Sequence, residues 1–174
     1  MNKLSQVKTQ KLLNDLPMYL KGIGRTLESM PGKKAIFVIL DSDDADCAEL
    51  KKDLVEMYEK SGVTVDVYFC IAIEEMEAWL LGDEKAIEEA YPQAKMPLLR
   101  KYVQDSIVGT WEYLADVVYS GGVNALKKKA ESYYEIGLFK CECAGNIGMY
   151  LNIHENKSPS FNYFINKLND FCEV

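Results

Sequence analysis

The 174 residues contain one histidine, His154, so a Ser-His or Cys-His nucleophile has a single possible base and a histidine-rich metal site is excluded. Cysteine is also sparse. The five (Cys47, Cys70, Cys141, Cys143, Cys172) are odd in number and irregularly spaced, which argues against a disulfide framework. Cys141-Glu-Cys143 lacks the two-residue gap of a zinc knuckle, so reduced, mostly buried thiols are the expectation. No apolar run approaches the roughly 18–20 residues of a membrane helix; the longest, Ala35 to Leu40, is strand-sized. The first eight residues hold no apolar stretch that could serve as a secretion signal. Low-complexity tracts, internal repeats and long linkers are missing too. A soluble, cytoplasmic protein with no membrane partner is expected.

What is present is enough for a core. Hydrophobic residues make up 48% of the chain and charged residues 27%, which excludes a disordered or collagen-like chain. The length suits one domain over 1–174, read as an α/β core (1–92) followed by a mainly helical extension (93–174). The net charge of −7 is uneven: residues 1–34 carry +5, residues 35–89 carry −12, and residues 90–174 balance to zero. An acidic surface repels polyanions, so a simple nucleic-acid-coating module is disfavoured. A concentrated carboxylate cluster is different, because it can hold divalent cations that in turn meet phosphate.

Apolar spacing predicts a helix over 8–30, broken or kinked at Pro17 and at Gly22 and Gly24. Ala35–Leu40 has no polar alternation, as expected of a strand covered on both faces. An amphipathic helix follows over 46–60, then a second strand over 63–73 and an acidic helix over 74–91 interrupted around Gly82-Asp83. Strand, helix, strand, helix in this order indicates parallel α/β packing. Beyond Pro92 four helices are expected, over 110–119, 122–131, 134–150 and 160–171.

Two acidic constellations follow the two strands. In Asp41-Ser42-Asp43-Asp44-Ala45-Asp46, alternate residues Asp41 and Asp43 point the same way, at the sheet edge where α/β proteins gather ligands. Such carboxylates are hard ligands for Mg²⁺ or Mn²⁺. Phosphotransfer hydrolases and metal-dependent glycosyltransferases share the pattern, and a helix N-cap by Asp44 accounts for part of it. A phosphatase with Asp41 as nucleophile is also open, although Ala45 stands where such enzymes place Thr or Val. The second constellation is Glu74-Glu75-Met76-Glu77-Ala78-Trp79. Glu74 and Glu77, three apart, would share a helix face beside Asp41 and Asp43 if the strands are neighbours. Asn156-Lys157-Ser158-Pro159-Ser160 is third: Ser158 or Ser160 is a natural N-cap, and Lys157 could approach a phosphate.

Taken in order, these stretches, with Leu12-Leu13-Asn14-Asp15-Leu16-Pro17, Ala90-Tyr91-Pro92 and Gly109-Thr110-Trp111-Glu112, are similar to a Toprim-like family of unknown function. That family, catalogued as the domain of unknown function numbered 4276, is often encoded beside AAA-type ATPases. The resemblance implies a Toprim-like small parallel sheet flanked by helices. It also implies a Mg²⁺ (or Mn²⁺) site of Asp41, Asp43, Glu74 and Glu77, and cleavage of nucleic-acid phosphodiesters. An ATPase partner and anti-phage defence are implied as well. One departure stands out: Toprim domains open with a strand ending in a catalytic Glu, and here the first acid is Asp15. The first Toprim strand is therefore expected to be missing. That leaves a sheet edge open to a second chain, and a non-catalytic subunit docked on an ATPase as the alternative function.

Overall fold

The structure, a computed structural model, describes residues 3–106 and 109–173. The order is α1 (Lys3–Glu28), β1 (Ala35–Asp41), α2 (Cys47–Ser61), β2 (Asp66–Ala72), α3 (Glu77–Leu81), α4 (Glu84–Ala90), α5 (Met96–Leu99), α6 (Thr110–Val118), α7 (Gly122–Lys129), α8 (Tyr133–Gly148) and α9 (Pro159–Cys172). It is the mixed α/β architecture with a helical C-terminal part that the patterning predicts. Among the described residues the sheet consists of β1 and β2, parallel, in register from Ala35 opposite Asp66 to Asp41 opposite Ala72.

α1 and α2 cover one sheet face and α9 part of the other, where Ile39 of β1 stays 41% exposed despite the unalternating apolar sequence. On one face Val38, Leu40, Phe69 and Ile71 pack with Leu16 and Leu20 of α1 and Leu50 and Leu54 of α2. On the other, Phe37 meets Tyr68 at 5.0 Å between ring centroids, and Phe164 and Phe171 of α9 edge-on at 6.3 and 6.0 Å. A second core, built on Leu81, Ile87, Leu99, Leu114 and Ile147, joins α3 and α4 to the helices of the C-terminal part. Trp79 links the halves, stacked on Phe164 at 5.5 Å and meeting Phe161 at 5.4 Å.

Several local expectations change. α1 runs unbroken through Pro17. Burial of the flanking Leu16 and Leu20 holds the helix together across the missing N–H. Gly24 does not break it either: a Cβ there would lie 2.5 Å from Val63 Cγ1, so the residue serves close packing against the turn before β2. The cap of α2 is Asp46 rather than Asp44, its carboxylate accepting from the N–H groups of Ala48 (2.9 Å) and Glu49 (3.0 Å). Ser158 caps α9 as expected. No helix among the described residues is long and apolar enough to cross a membrane.

Candidate metal centre

The parallel ladder does not stop at the strand ends. Ser42 N–H donates to Ala72 C=O and Asp43 N–H to Glu74 C=O, both at 2.9 Å, so the loops after β1 and β2 are zipped together. Ser42, 2% exposed, adds its hydroxyl as acceptor for Glu74 N–H at 2.8 Å. This brings the Asp41–Asp43 segment beside the Glu-rich segment, the neighbourhood expected from two adjacent parallel strands.

Within that neighbourhood the four expected acids take different occupations. Glu74 is not on a helix. It precedes α3 with a left-handed φ of 62°, so it cannot share a helix face with Glu77. Its buried carboxylate turns to the start of α6, accepting from Gly109 N–H and, at 2.6 Å, from Thr110 N–H. Two charge-assisted bonds at a helix N-terminus are a structural engagement, taking one acceptor position on each oxygen. Glu77, by contrast, is 6% exposed in the first turn of α3 and pairs with Lys140 of α8, Oε1 to Nζ, at 3.2 Å. Glu75 makes the same contact through its own Oε1, also at 3.2 Å.

Asp41 completes the group. It ends β1, accepts a backbone hydrogen bond from Met76, and has one oxygen, Oδ1, buried with no hydrogen-bond partner. Burial, then the Glu77 charge, pushes its carboxyl up to about 6, with Lys140 opposing and Asp43 adding to the rise. Glu75 is in the same condition: Oε2 is buried without a partner, and burial lifts the group to about 7 despite Lys140. Burial also pulls Lys140 down, but Glu77 and Glu75 outweigh it, so the ammonium ends above its ordinary value. When ionised, three acids face one cation. The cluster is short of positive charge.

Asp41 Oδ1 and Glu75 Oε2 are thus two buried carboxylate oxygens without a hydrogen bond, and carboxylate oxygens are the donor type that hard divalent cations take. Among the described residues no group of three or more His, Cys, Asp or Glu side chains is placed to hold a metal ion, and Glu75 and Glu77 pair with the Lys140 ammonium instead. Asp43, with φ 47°, stays close enough for its charge to act on Asp41. Glu75 and Lys140 carry no signal in the sequence that singles them out. Glu75 lies between two acids of better spacing, and Lys140 comes from a helix far along the chain.

Lys157 is an exposed partner of Glu84 in α4, and its backbone N–H donates to Gly82 C=O at 2.9 Å. The motif around it is a clasp. Asn156, 4% exposed, gives its amide to Trp79 C=O at 2.8 Å and accepts from Ser158 N–H at 2.9 Å. Ser160 Oγ takes the Trp79 indole N–H at 2.8 Å, and Asp105 holds Ser158 Oγ and Ser160 N–H at 2.9 and 2.7 Å. Gly82 is required because a Cβ would lie 2.0 Å from Asn156 Oδ1. Gly82→Ala is therefore expected to lower stability by about 1–3 kcal/mol, read as an earlier urea midpoint at unchanged slope.

These features define an α/β domain with a buried carboxylate–lysine cluster at the C-terminal edge of a parallel strand pair. The model of the family described as Domain of unknown function (DUF4276) matches residues 2–169, and the chain belongs to that family. No curated protein and no solved structure matches it.

Proposed function

We propose that the protein is a Mg²⁺- or Mn²⁺-dependent hydrolase of nucleic-acid phosphodiesters, its cation held by Asp41, Glu75 and Glu77 with Asp43 beside them. The observation that carries this reading is the partnerless, buried Oδ1 of Asp41, set at the ligand-binding edge of a parallel sheet in a cluster short of positive charge. The Toprim-like pattern of Asp41 and Asp43 after the first strand supports it. When bound, a divalent cation draws negative charge off an attacked phosphate and makes water a better nucleophile. The rest falls to the chain's own side chains. Asp41, fixed by the Met76 N–H, keeps Oδ1 directed for binding. Glu75 Oε2, buried without a partner, adds a second acceptor for the cation.

The test is cleavage of labelled single- and double-stranded DNA and RNA oligonucleotides with Mg²⁺ or Mn²⁺. Wild type cleaves at least one of them, and Asp41→Ala reduces the rate by about a hundredfold or more. Equal rates in the two proteins, or no cleavage of any substrate, contradict the reading. The second reading is a non-catalytic subunit docked on an AAA-type ATPase. It is favoured by Tyr134 (73% exposed) and Leu138 (50% exposed), one turn apart on α8 and open to a partner.

A further inference from the structure

The two outer edges of the sheet differ. α2 packs on the face that holds Phe69 and Ile71, and α9 on the face that holds Phe37. The two helices nevertheless meet: Lys51 Nζ donates to Tyr163 Oη at 3.2 Å and lies over the ring at 4.4 Å from its centroid. They meet across a cleft whose strand residues, Phe69 and Ile71, both come from β2, so the outer edge of β2 is bridged. The outer edge of β1 is bare by comparison. Ile39, in the middle of β1, is 41% exposed, whereas Cys70, its register partner in β2, is fully buried. Above the other face Tyr19 and Ile23, one turn apart on α1, are each 47% exposed, on the flank turned away from the contact of Gly24 with Val63. Every second residue of β1 turns its N–H and C=O outward at this edge. The strand lacks the usual protections of an open edge: Ala35–Leu40 contains no charge and no proline, and its register with β2 has no bulge.

Charge selects the occupant of this edge. Lys33 and Lys34 precede the strand, Asp41 and Asp43 follow its apolar run, and nothing between them is charged. The two ammonium groups rest on backbone carbonyls, Lys33 on those of Asp170 and Phe171 and Lys34 on that of Met30, so the positive charge is fixed at this end. An antiparallel copy of the same strand brings each basic end against an acidic end, whereas a parallel copy sets like charges together. We propose that β1 pairs antiparallel with β1 of a second copy of this chain, about a two-fold axis at Val38, joining the two sheets into one. In that register Ile39 lies opposite Phe37 of the second copy, and Leu40 opposite Ile36 on the other face; the two-fold axis repeats each pair. Pairs of an aromatic and a β-branched side chain are favourable across strands, and this one covers the exposed Ile39. The dimer does not depend on the cation-site reading.

The experiment is analytical ultracentrifugation of the full chain between about 1 and 100 μM, with amide hydrogen exchange over Ala35–Asp41 read by mass spectrometry at both ends of that range. Wild type is expected to pass from monomer to dimer across the range, with exchange over β1 slowed at the high concentration. Ile39→Lys changes an exposed position, so it keeps the fold by circular dichroism; a charge facing the second copy weakens the dimer by about tenfold or more. Ile39→Leu keeps the position apolar and dimerises within about threefold of wild type. A wild-type chain that stays monomeric at the highest concentration overturns the pairing. So does a dimer whose β1 amides exchange equally fast at both concentrations, or a folded Ile39→Lys that dimerises like wild type. Should Ile39→Lys fail to fold, the concentration dependence of wild-type exchange over β1 decides alone.

Discussion

Glu74→Ala is expected to lower stability by about 2–4 kcal/mol, a drop in melting temperature of roughly 5–15 °C for a chain of this size. The side chain is 9% exposed and supplies acceptors for the first N–H groups of α6, at Gly109 and Thr110. Removing it leaves the buried Thr110 N–H and the part-buried Gly109 N–H without partners at the positive end of that helix. α6 carries Trp111, Leu114 and Ala115 into the helical core, so a loosened start is felt well beyond the loop. The backbone at position 74 is left-handed, where glycine is the easier residue. Glutamate at such a position indicates that its side chain has work to do. Glu74→Gln keeps one acceptor and is expected to lose about half as much. If Glu74→Ala melts with the wild type, the capping role is wrong.

Asp41→Asn has the opposite expected effect on the cation-free protein: at pH 7 it is more stable by about 1–3 kcal/mol. The sign follows from the carboxyl, raised from 3.8 to about 6 in the folded state by burial and the Glu77 charge. The folded protein binds protons more tightly than the unfolded chain, so this contribution is intact below pH ~4 and is lost as pH rises through about 6. Glu75, raised from 4.5 to about 7, extends the window toward neutrality. Asparagine retains an acceptor for the Met76 N–H and carries no charge. The difference between wild type and Asp41→Asn, measured by urea denaturation, should thus be small at pH 4 and grow toward pH 7. A variant less stable than wild type at pH 7 would show that the Asp41 charge is already compensated. Stability that rises on removing a buried acid is the signature of a site held for function.

The fold was largely legible. Ala35–Leu40 reads as a strand from its apolar run, although Ile39 on its second face stays exposed, and Gly109, Gly121-Gly122 and Pro159 mark helix starts that the structure respects. Pro17 misleads because the burial of Leu16 and Leu20, a tertiary effect, keeps α1 continuous. The site was half legible. The two acidic segments meet as the strand order implies, yet spacing favours Glu74 over Glu75. The left-handed turn at Glu74 sends its carboxylate to the start of α6 and leaves Glu75 beside Glu77 at Lys140, and no local pattern announces such a turn at a glutamate. Lys140 could not be found by spacing, because only the packing of α8 on α3 brings its ammonium to Glu75 and Glu77. The Asn156–Ser160 motif was visible as a feature. Its role as a clasp on Gly82 and Trp79 depends on contacts that span the chain.

The most direct test of the account is Mn²⁺ binding followed by the electron paramagnetic resonance signal of the free ion, in wild type and Asp41→Asn at pH 7. Wild type is expected to bind Mn²⁺ saturably and Asp41→Asn to lose that binding, with the fold and raised stability of the variant checked by circular dichroism on the same samples. Undiminished binding in the folded variant, or none in the wild type, would contradict the assignment of the carboxylate–lysine cluster as a cation site.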